Sequence, residues 1–170
     1  MEESILNHKS VLVVDDEPDV LNVLEEEILE VAPHCKFSKA TTYEEAVRMM
    51  ESQHHDLVIL DIMGVRGFDL LEMGVKQNFK VVMLTAHALN PESLRRSIEK
   101  GARAYLPKDK LGEMVPFMED ILAESDPLSG WVHLMKKLEG FFNDRWGEQW
   151  QMKEEKYWKE FYKKTLHIKL

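Results

Sequence analysis

Acidic, hydroxyl and ammonium side chains stand at the ends of short apolar runs in this sequence, and together they could handle phosphate. Asp15 and Asp16 follow the first run, and Asp61 follows the third. Thr85 follows the fourth, and Lys108 lies just past the fifth. Carboxylates held close together repel one another, and a hard divalent cation such as Mg²⁺, which prefers oxygen ligands, relieves that repulsion. A carboxylate can also attack phosphorus, while a hydroxyl and an ammonium offset the charge on the phosphoryl oxygens.

Each of these aspartates, taken alone, is more often a helix cap or a turn residue than a ligand. The combination favours a shared site, because the acidic pair, the single acid, the hydroxyl and the lysine all occupy equivalent places after apolar runs. The elements that carry them therefore decide whether they meet.

The apolar runs alternate with stretches of helical periodicity. The pattern predicts strands at residues 11–14, 36–40, 57–60, 81–84 and 102–106, and helices at 18–32, 43–50, 68–77, 91–100 and 111–123. Five such repeats predict an α/β fold, a doubly wound parallel sheet with helices on both faces. In sheets of this kind ligands bind outside the carboxyl ends of the strands, so the polar residues are predicted to converge on one cleft.

Four segments carry a resemblance to a known family, and they read VLVVDDE from Val11, LVILDIM from Leu57, VVMLTA from Val81 and GARAYLPK from Gly101. As a set they resemble the receiver domain of two-component response regulators, over about residues 8–124. The resemblance implies a flavodoxin-like fold with five parallel strands in the order 2-1-3-4-5.

The resemblance implies a phosphoacceptor and a magnesium site. Asp61 is similar to the aspartate that is phosphorylated in the family. Asp16 resembles the direct magnesium ligand and Asp15 its water-linked neighbour. Met63 resembles the position whose backbone carbonyl completes the metal site.

The resemblance also implies a switch. Thr85 is similar to the hydroxyl that turns toward the phosphoryl group, and Lys108 to the cation that pairs with it. Tyr105 resembles the aromatic side chain that moves inward with the hydroxyl. The alternative for Tyr105 is an aromatic that only packs at the sheet edge.

Two departures from the family pattern affect the site. The family has a proline four residues after the phosphorylated aspartate and a glycine about eight after it, whereas Val65 and Gly67 stand here, and the loop is two residues short. The family has lysine followed by proline, whereas Pro107 precedes Lys108 here. We therefore expect an altered loop and a slightly displaced lysine, and Leu106–Pro107 is the bond most able to be cis.

A turn-rich segment at residues 125–130 separates two predicted modules, a receiver at 1–125 and a helical extension at 126–170. Aromatic and aliphatic residues recur at helical spacing in the extension, from Trp131 to Tyr162, with an interruption predicted at Gly147. So much apolar surface cannot remain solvated alone. Three alternatives follow: packing on the receiver, a homodimer interface, or a helix that binds a partner.

Composition excludes several other classes. The net charge is −9 and the lysines of the extension alternate with glutamates, which argues against binding to DNA. No run approaches the roughly 20 apolar residues of a membrane helix. The single cysteine, Cys35, and the lack of a signal sequence predict a cytoplasmic protein.

The leading hypothesis is a signalling phosphoacceptor that takes a phosphoryl group from a histidine kinase or phosphotransfer protein and then acts on an unknown downstream protein. It is not expected to be an enzyme beyond its own phosphorylation and dephosphorylation. A degenerate receiver that only mediates interactions is the alternative. A magnesium-dependent phosphatase would need a second acid two residues after Asp61, where Met63 stands.

Overall fold

The computed structural model describes residues 2–168, which form a five-stranded parallel sheet flanked by helices. The strands are β1 (Ser10–Val14), β2 (Lys36–Ala40), β3 (Leu57–Asp61), β4 (Lys80–Thr85) and β5 (Ala104–Pro107). They are arranged in the order β2-β1-β3-β4-β5, and every pairing is parallel. The predicted fold class and strand order are confirmed.

Five helices accompany the sheet, and they are α1 (Pro18–Val31), α2 (Tyr43–Ser52), α3 (Gly67–Lys76), α4 (Pro91–Glu99) and α5 (Met114–Ala123). Four of these match the predicted positions to within two residues. The fifth was predicted from residue 111, but a 3-10 helix at Lys108–Glu113 comes first and contains a kink at Lys110 (φ −103°, ψ 18°).

Local sequence signals explain where helices begin. At α2 the hydroxyl of Thr42 accepts a hydrogen bond from the Glu45 backbone N–H (3.2 Å), and the carboxylate of Glu45 accepts one from the Thr41 hydroxyl (2.9 Å). The first bond pairs a backbone N–H that the first turn of a helix leaves without a partner, and the second holds the Glu45 side chain over the helix start. At α4 the Asn90 side chain caps the Ser93 N–H (2.8 Å), and Pro91 occupies the first helical position.

The strand register brings the polar strand ends to one edge of the sheet. Val14 pairs with Leu60, and Leu60 pairs with Met83, so β1, β3 and β4 end at the same level. All residues of β3 are buried, as are all but the first of β1 and β4. A core of this kind, apolar on both faces, holds the strand ends rigidly because shifting the register would move every packed side chain.

The extension forms helix α6 (Pro127–Trp146), a 3-10 turn (Trp150–Glu154) and helix α7 (Glu155–Lys164). Helix α6 packs on the receiver at the edge of β5, where the Trp131 indole N–H donates to the Ala102 carbonyl (2.9 Å). Gly147, with φ 88°, ends α6 where an interruption was predicted. Of the three alternatives for the extension, packing on its own receiver is the one observed.

Two further features bear on the sequence predictions. No peptide bond within residues 2–168 is cis. The Leu106–Pro107 bond, which the sequence indicated as the one most able to be cis, is therefore trans. Pro107 has φ −73° and ends the edge strand β5, a place where the missing N–H removes no ladder hydrogen bond. Across the same part of the chain, no helix is long and apolar enough to cross a membrane.

Candidate phosphoacceptor site

Asp61 is the last residue of the central strand β3, and its side chain is almost fully buried at 3% exposure. Burial raises its pKa to about 7, and the negative charge of Asp15 acts in the same direction. The positive charge of Lys108 and a hydrogen bond from the Met63 backbone N–H act against these effects. The ionised form of the Asp61 carboxylate is therefore destabilised, and a bound cation would stabilise that form.

Asp15 and Asp16 follow β1 and differ in exposure. Asp15 is fully buried and Asp16 is exposed. One Asp15 oxygen, Oδ1, accepts a hydrogen bond from the Glu17 N–H (2.9 Å), which fixes the carboxylate at the start of α1. Burial raises the pKa of Asp15, although its contact with Lys108 opposes this rise.

The three carboxylates fit a hard divalent cation. One oxygen each of Asp15, Asp16 and Asp61 lies within 4.8 Å of the other two. Asp15 Oδ2 lies 2.8 Å from the Lys108 ammonium, but it is buried and accepts no hydrogen bond of good geometry within the described chain. A buried carboxylate oxygen in this state is an available ligand, and Mg²⁺ binds through a few carboxylates while keeping waters.

The loop after Asp61 closes around these acids by means of glycine. Gly64 has φ +89°, and a Cβ atom there would lie 2.4 Å from Asp16 Oδ2. A Cβ atom on Gly67 would lie 2.2 Å from the Asp61 carbonyl oxygen. Arg66 is left-handed as well (φ 55°), and Val65, at the position of the family's proline, is buried at 1%. The short loop thus reaches α3 through two left-handed residues and a close backbone approach.

Lys108 lies inside the site despite the changed order of lysine and proline. Its Nζ is 3.7 Å from Asp61 Oδ2, 2.8 Å from Asp15 Oδ2 and 2.9 Å from Glu17 Oε1. Burial opposes its positive charge, but the contacts with these three carboxylates outweigh burial and raise its pKa. Pro107 pairs with Thr85 across the sheet, so the register of β5 carries the lysine to the strand ends.

Thr85 and Tyr105 are both buried and are joined through the backbone of one residue, Ala88. The Thr85 hydroxyl accepts a hydrogen bond from the Ala88 N–H (2.9 Å). The Tyr105 hydroxyl donates to the Ala88 carbonyl (3.0 Å) and lies 2.7 Å from Ser93 Oγ. Burial raises the pKa of Tyr105 to about 12. The switch role of these two residues stays a prediction, as does packing alone for Tyr105.

Met63 is placed beside Asp61 by its backbone, whose N–H bonds to the Asp61 carboxylate, while its side chain is 52% exposed. The role of its carbonyl as a metal ligand stays a prediction.

Three residues of the site were not identified from the sequence: Glu17, Gly64 and Gly67. The two glycines in a short loop were a usable signal, because close backbone approach is one reason for glycine. Glu17 directly follows the acidic pair, but nothing in its spacing indicated a contact with a lysine 91 residues away.

Known proteins resemble this chain in sequence and in fold. The family model described as the response regulator receiver domain matches residues 11–116, more than half of the chain. The chain therefore belongs to the response regulator receiver family. The helices of the extension lie outside the matched residues.

Individual relatives match over the same region. The two-component response regulator ARR18 of Arabidopsis thaliana is 39% identical over 104 residues, and ORR24 of Oryza sativa subsp. indica is 33% identical over 105. Each match covers 58% of this chain but only 16% of the relative. The crystal structure of a CheY-like response regulator receiver domain protein from Methanospirillum hungatei JF-1 is 28% identical, with a TM-score of 0.55, and the match covers 67% of this chain and 95% of that one.

Proposed function

We propose that this chain accepts a phosphoryl group on Asp61, in the presence of Mg²⁺, from a histidine kinase or a phosphotransfer protein, and thereby changes its interactions with other proteins. The observation that carries the proposal is the convergence of three carboxylates within 4.8 Å, with a lysine ammonium 3.7 Å from the central one. Residues from three separated segments of the chain meet there, as phosphoryl transfer to a carboxylate requires.

Acceptance exchanges one bond to phosphorus for another. An oxygen of the ionised Asp61 carboxylate attacks the phosphorus of a phosphohistidine, the nitrogen–phosphorus bond breaks, and the histidine ring keeps the electron pair. Lys108 is placed to offset the charge on the phosphoryl oxygens, as Thr85 would be once its hydroxyl left Ala88 N. Hydrolysis of the resulting acyl phosphate by water returns Asp61 to its free form.

Asp15, Asp16, Asp61 and the Met63 carbonyl would hold the magnesium ion, which supplies positive charge that neutralises the carboxylates and the phosphoryl oxygens. We propose no reaction on a separate substrate, so the chain is a signalling phosphoacceptor rather than an enzyme in the ordinary sense. A cytoplasmic location belongs to the same proposal and is consistent with the free thiol of the buried Cys35.

Phosphorylation adds negative charge at Asp61, and we propose that this biases a two-state face of the molecule that includes Thr85 and Tyr105. Tyr105 contacts Phe142 of α6, with ring centroids 6.3 Å apart. A homodimer and a downstream protein partner both remain proposals, and light scattering with and without beryllofluoride, a phosphoryl mimic, separates the first from a monomeric switch.

Phosphorylation by acetyl phosphate tests the proposal. With Mg²⁺ present, we expect a mass gain of one phosphoryl group, which is lost on Asp61→Asn and on removal of Mg²⁺ with a chelator. Asp144→Asn makes the same chemical change at an exposed position in α6 and should be phosphorylated like the wild type. Uptake that persists in Asp61→Asn would contradict the proposal, and no uptake by the wild type would favour the degenerate receiver instead.

A further inference from the structure

Lys108 is shared among three carboxylates before any phosphoryl group arrives. Its ammonium lies at hydrogen-bonding distance from Asp15 Oδ2 (2.8 Å) and Glu17 Oε1 (2.9 Å), but 3.7 Å from Asp61 Oδ2. A lysine ammonium has three N–H donors, and its two shortest carboxylate contacts, a hydrogen bond to Glu17 and an ion pair with Asp15, are both to residues other than the phosphoacceptor. The resting position of the lysine is therefore decided by Asp15 and Glu17.

Glu17 occupies the N-cap of α1 without acting as a cap. Its side chain makes no hydrogen bond to the first turn of the helix, where Ser, Thr, Asp and Asn are the favoured residues. Its carboxylate instead receives a hydrogen bond from Lys108, which lowers the pKa of Glu17. The side chain is thus committed to the lysine rather than to the helix.

We infer that Glu17 is a positioning residue that competes with the phosphoryl group on Asp61 for the ammonium of Lys108. The inference rests on the proposed function of Asp61 and adds a tuning residue to that site. Lys108 keeps one N–H for a group on Asp61, and any shift of its Nζ from 3.7 Å toward such a group is opposed by the two contacts that it already makes.

The contact with Glu17 is the one that yields more easily. The Asp15 carboxylate is fully buried and is anchored by the Glu17 N–H, so a broken contact there would leave a buried charge without its partner. The Glu17 side chain is 49% exposed, so water can replace the lysine. Retracting Lys108 from Glu17 costs some free energy, and that cost lowers the affinity of the site for a phosphoryl group.

The experiment measures beryllofluoride binding to the full chain by isothermal titration calorimetry at saturating Mg²⁺. We expect Glu17→Gln to lower the Kd for beryllofluoride about twofold to fivefold, the range that corresponds to an exposed ion pair. The lifetime of the acyl phosphate formed from acetyl phosphate gives a second measure of the same contact and should lengthen. A purely structural role for Glu17 would weaken binding instead, and that result would overturn the inference.

Two variants separate the contact from the charge. Asp19→Asn removes one negative charge from the first turn of the same helix, where the described structure shows no contact with Lys108, and should leave the Kd close to that of the wild type. Glu17→Asp keeps the charge but shortens the side chain by one methylene, so it loses the contact and should behave like Glu17→Gln.

Equal effects of Glu17→Gln and Asp19→Asn would overturn the inference, as would a Glu17→Asp variant that binds like the wild type. A wild-type chain that binds no beryllofluoride would overturn the proposed function and, with it, this inference. The two failures are distinct because only the second is visible without any variant.

Discussion

At the scale of single residues, the site is built from groups that folding alone would not favour. Asp61 and Asp15 are buried carboxylates with raised pKa values, and they lie side by side. Lys108 compensates for part of this repulsion, but Asp61 still titrates near neutral pH. A cation and a phosphoryl group are the ligands that such an arrangement favours, at the expense of the stability of the free protein.

Replacing Asp61 should therefore stabilise the metal-free chain. The folded pKa of Asp61, about 7, lies above its usual value of 3.8, so its ionisation weakens the fold as the pH rises from about 4 to about 7, and the penalty is complete above that window. We expect Asp61→Asn to raise the free energy of unfolding by about 1–3 kcal/mol at pH 8 without Mg²⁺, and to have little effect near pH 4. Urea denaturation at the two pH values measures this, and a destabilised variant at pH 8 would contradict it.

A second pH-dependent contribution to stability is expected from His55, which lies at the amino end of β3, whereas Asp61 lies at its carboxyl end. This side chain is fully buried, with Nε2 3.1 Å from the Met49 carbonyl and Nδ1 3.2 Å from Ser10 Oγ. Burial lowers the pKa of His55 below its usual value of 6.5. The contribution of neutral His55 to stability is thus complete above about pH 6.5 and is lost as the pH falls below it, because the unfolded chain binds the proton first.

Thermal unfolding between pH 7.5 and pH 5 tests this expectation. His55→Gln should lower stability at pH 7.5 and flatten the dependence of Tm on pH below 6.5. An unchanged pH dependence in His55→Gln would show that other groups are responsible.

At the scale of elements, the loop between β3 and α3 is where the chain departs from its family and where backbone geometry matters most. Its shortness is accommodated by the left-handed residues Gly64 and Arg66 and by the contact of Gly67 with the end of β3. Gly64 of this loop lies so close to the Asp16 carboxylate that there is no room for a Cβ atom between them. A change in the shape of the loop would therefore displace a residue of the metal site.

Gly64→Ala should damage the metal site more than the fold. The new Cβ atom would meet Asp16 Oδ2 at 2.4 Å, on a backbone with φ +89°, and the exposed Asp16 side chain would have to move. We expect a loss of stability of about 1–2 kcal/mol and at least a tenfold weaker affinity for Mg²⁺, measured by calorimetry. Gly140→Ala, in helix α6 with no atom within 4 Å of the new Cβ, should leave Mg²⁺ affinity unchanged and stabilise the chain slightly.

At the scale of the whole molecule, the extension is part of the same core as the receiver. Trp131 and Phe142 are buried at 2% and 0%, and Phe142 stacks on Trp146 with ring centroids 4.6 Å apart. Ion pairs join the two parts as well, between Arg145 and Asp109 (2.8 Å) and between Arg95 and Glu154 (3.3 Å). These contacts are why we expect the chain to unfold as a unit.

Unfolding observed by two probes tests that unity. All four tryptophans lie in the extension, so tryptophan fluorescence reports on it, while far-ultraviolet circular dichroism reports mainly on the receiver. We expect the two urea transitions to coincide, and Phe142→Ala to lower the free energy of unfolding by about 3–5 kcal/mol in both. Leu166→Ala, at a residue 83% exposed, should have almost no effect. Separate transitions would show that the extension folds independently.

The sequence by itself determined the order of elements, the strand ends that carry the acids, the threonine and the lysine, and the point where α6 stops. These features follow from local causes: apolar periodicity, proline at helix starts and glycine at a helix end. The resemblance to receivers supplied the roles of Asp61, Thr85 and Lys108, since spacing alone does not distinguish a phosphoacceptor from a turn residue.

Only the tertiary structure decided which carboxylates hold Lys108, how close Gly64 comes to Asp16, and where the aromatic surface of the extension is buried. Glu17 and Lys108 are 91 residues apart, and no local pattern encodes a contact across that separation. Periodicity predicts that the apolar face of α6 must be buried but not against what, so the sequence left its own receiver, a second copy and a partner as alternatives. The structure places α6 against β5 through contacts that exist only once the sheet has formed, such as the bond from the Trp131 indole to the Ala102 carbonyl.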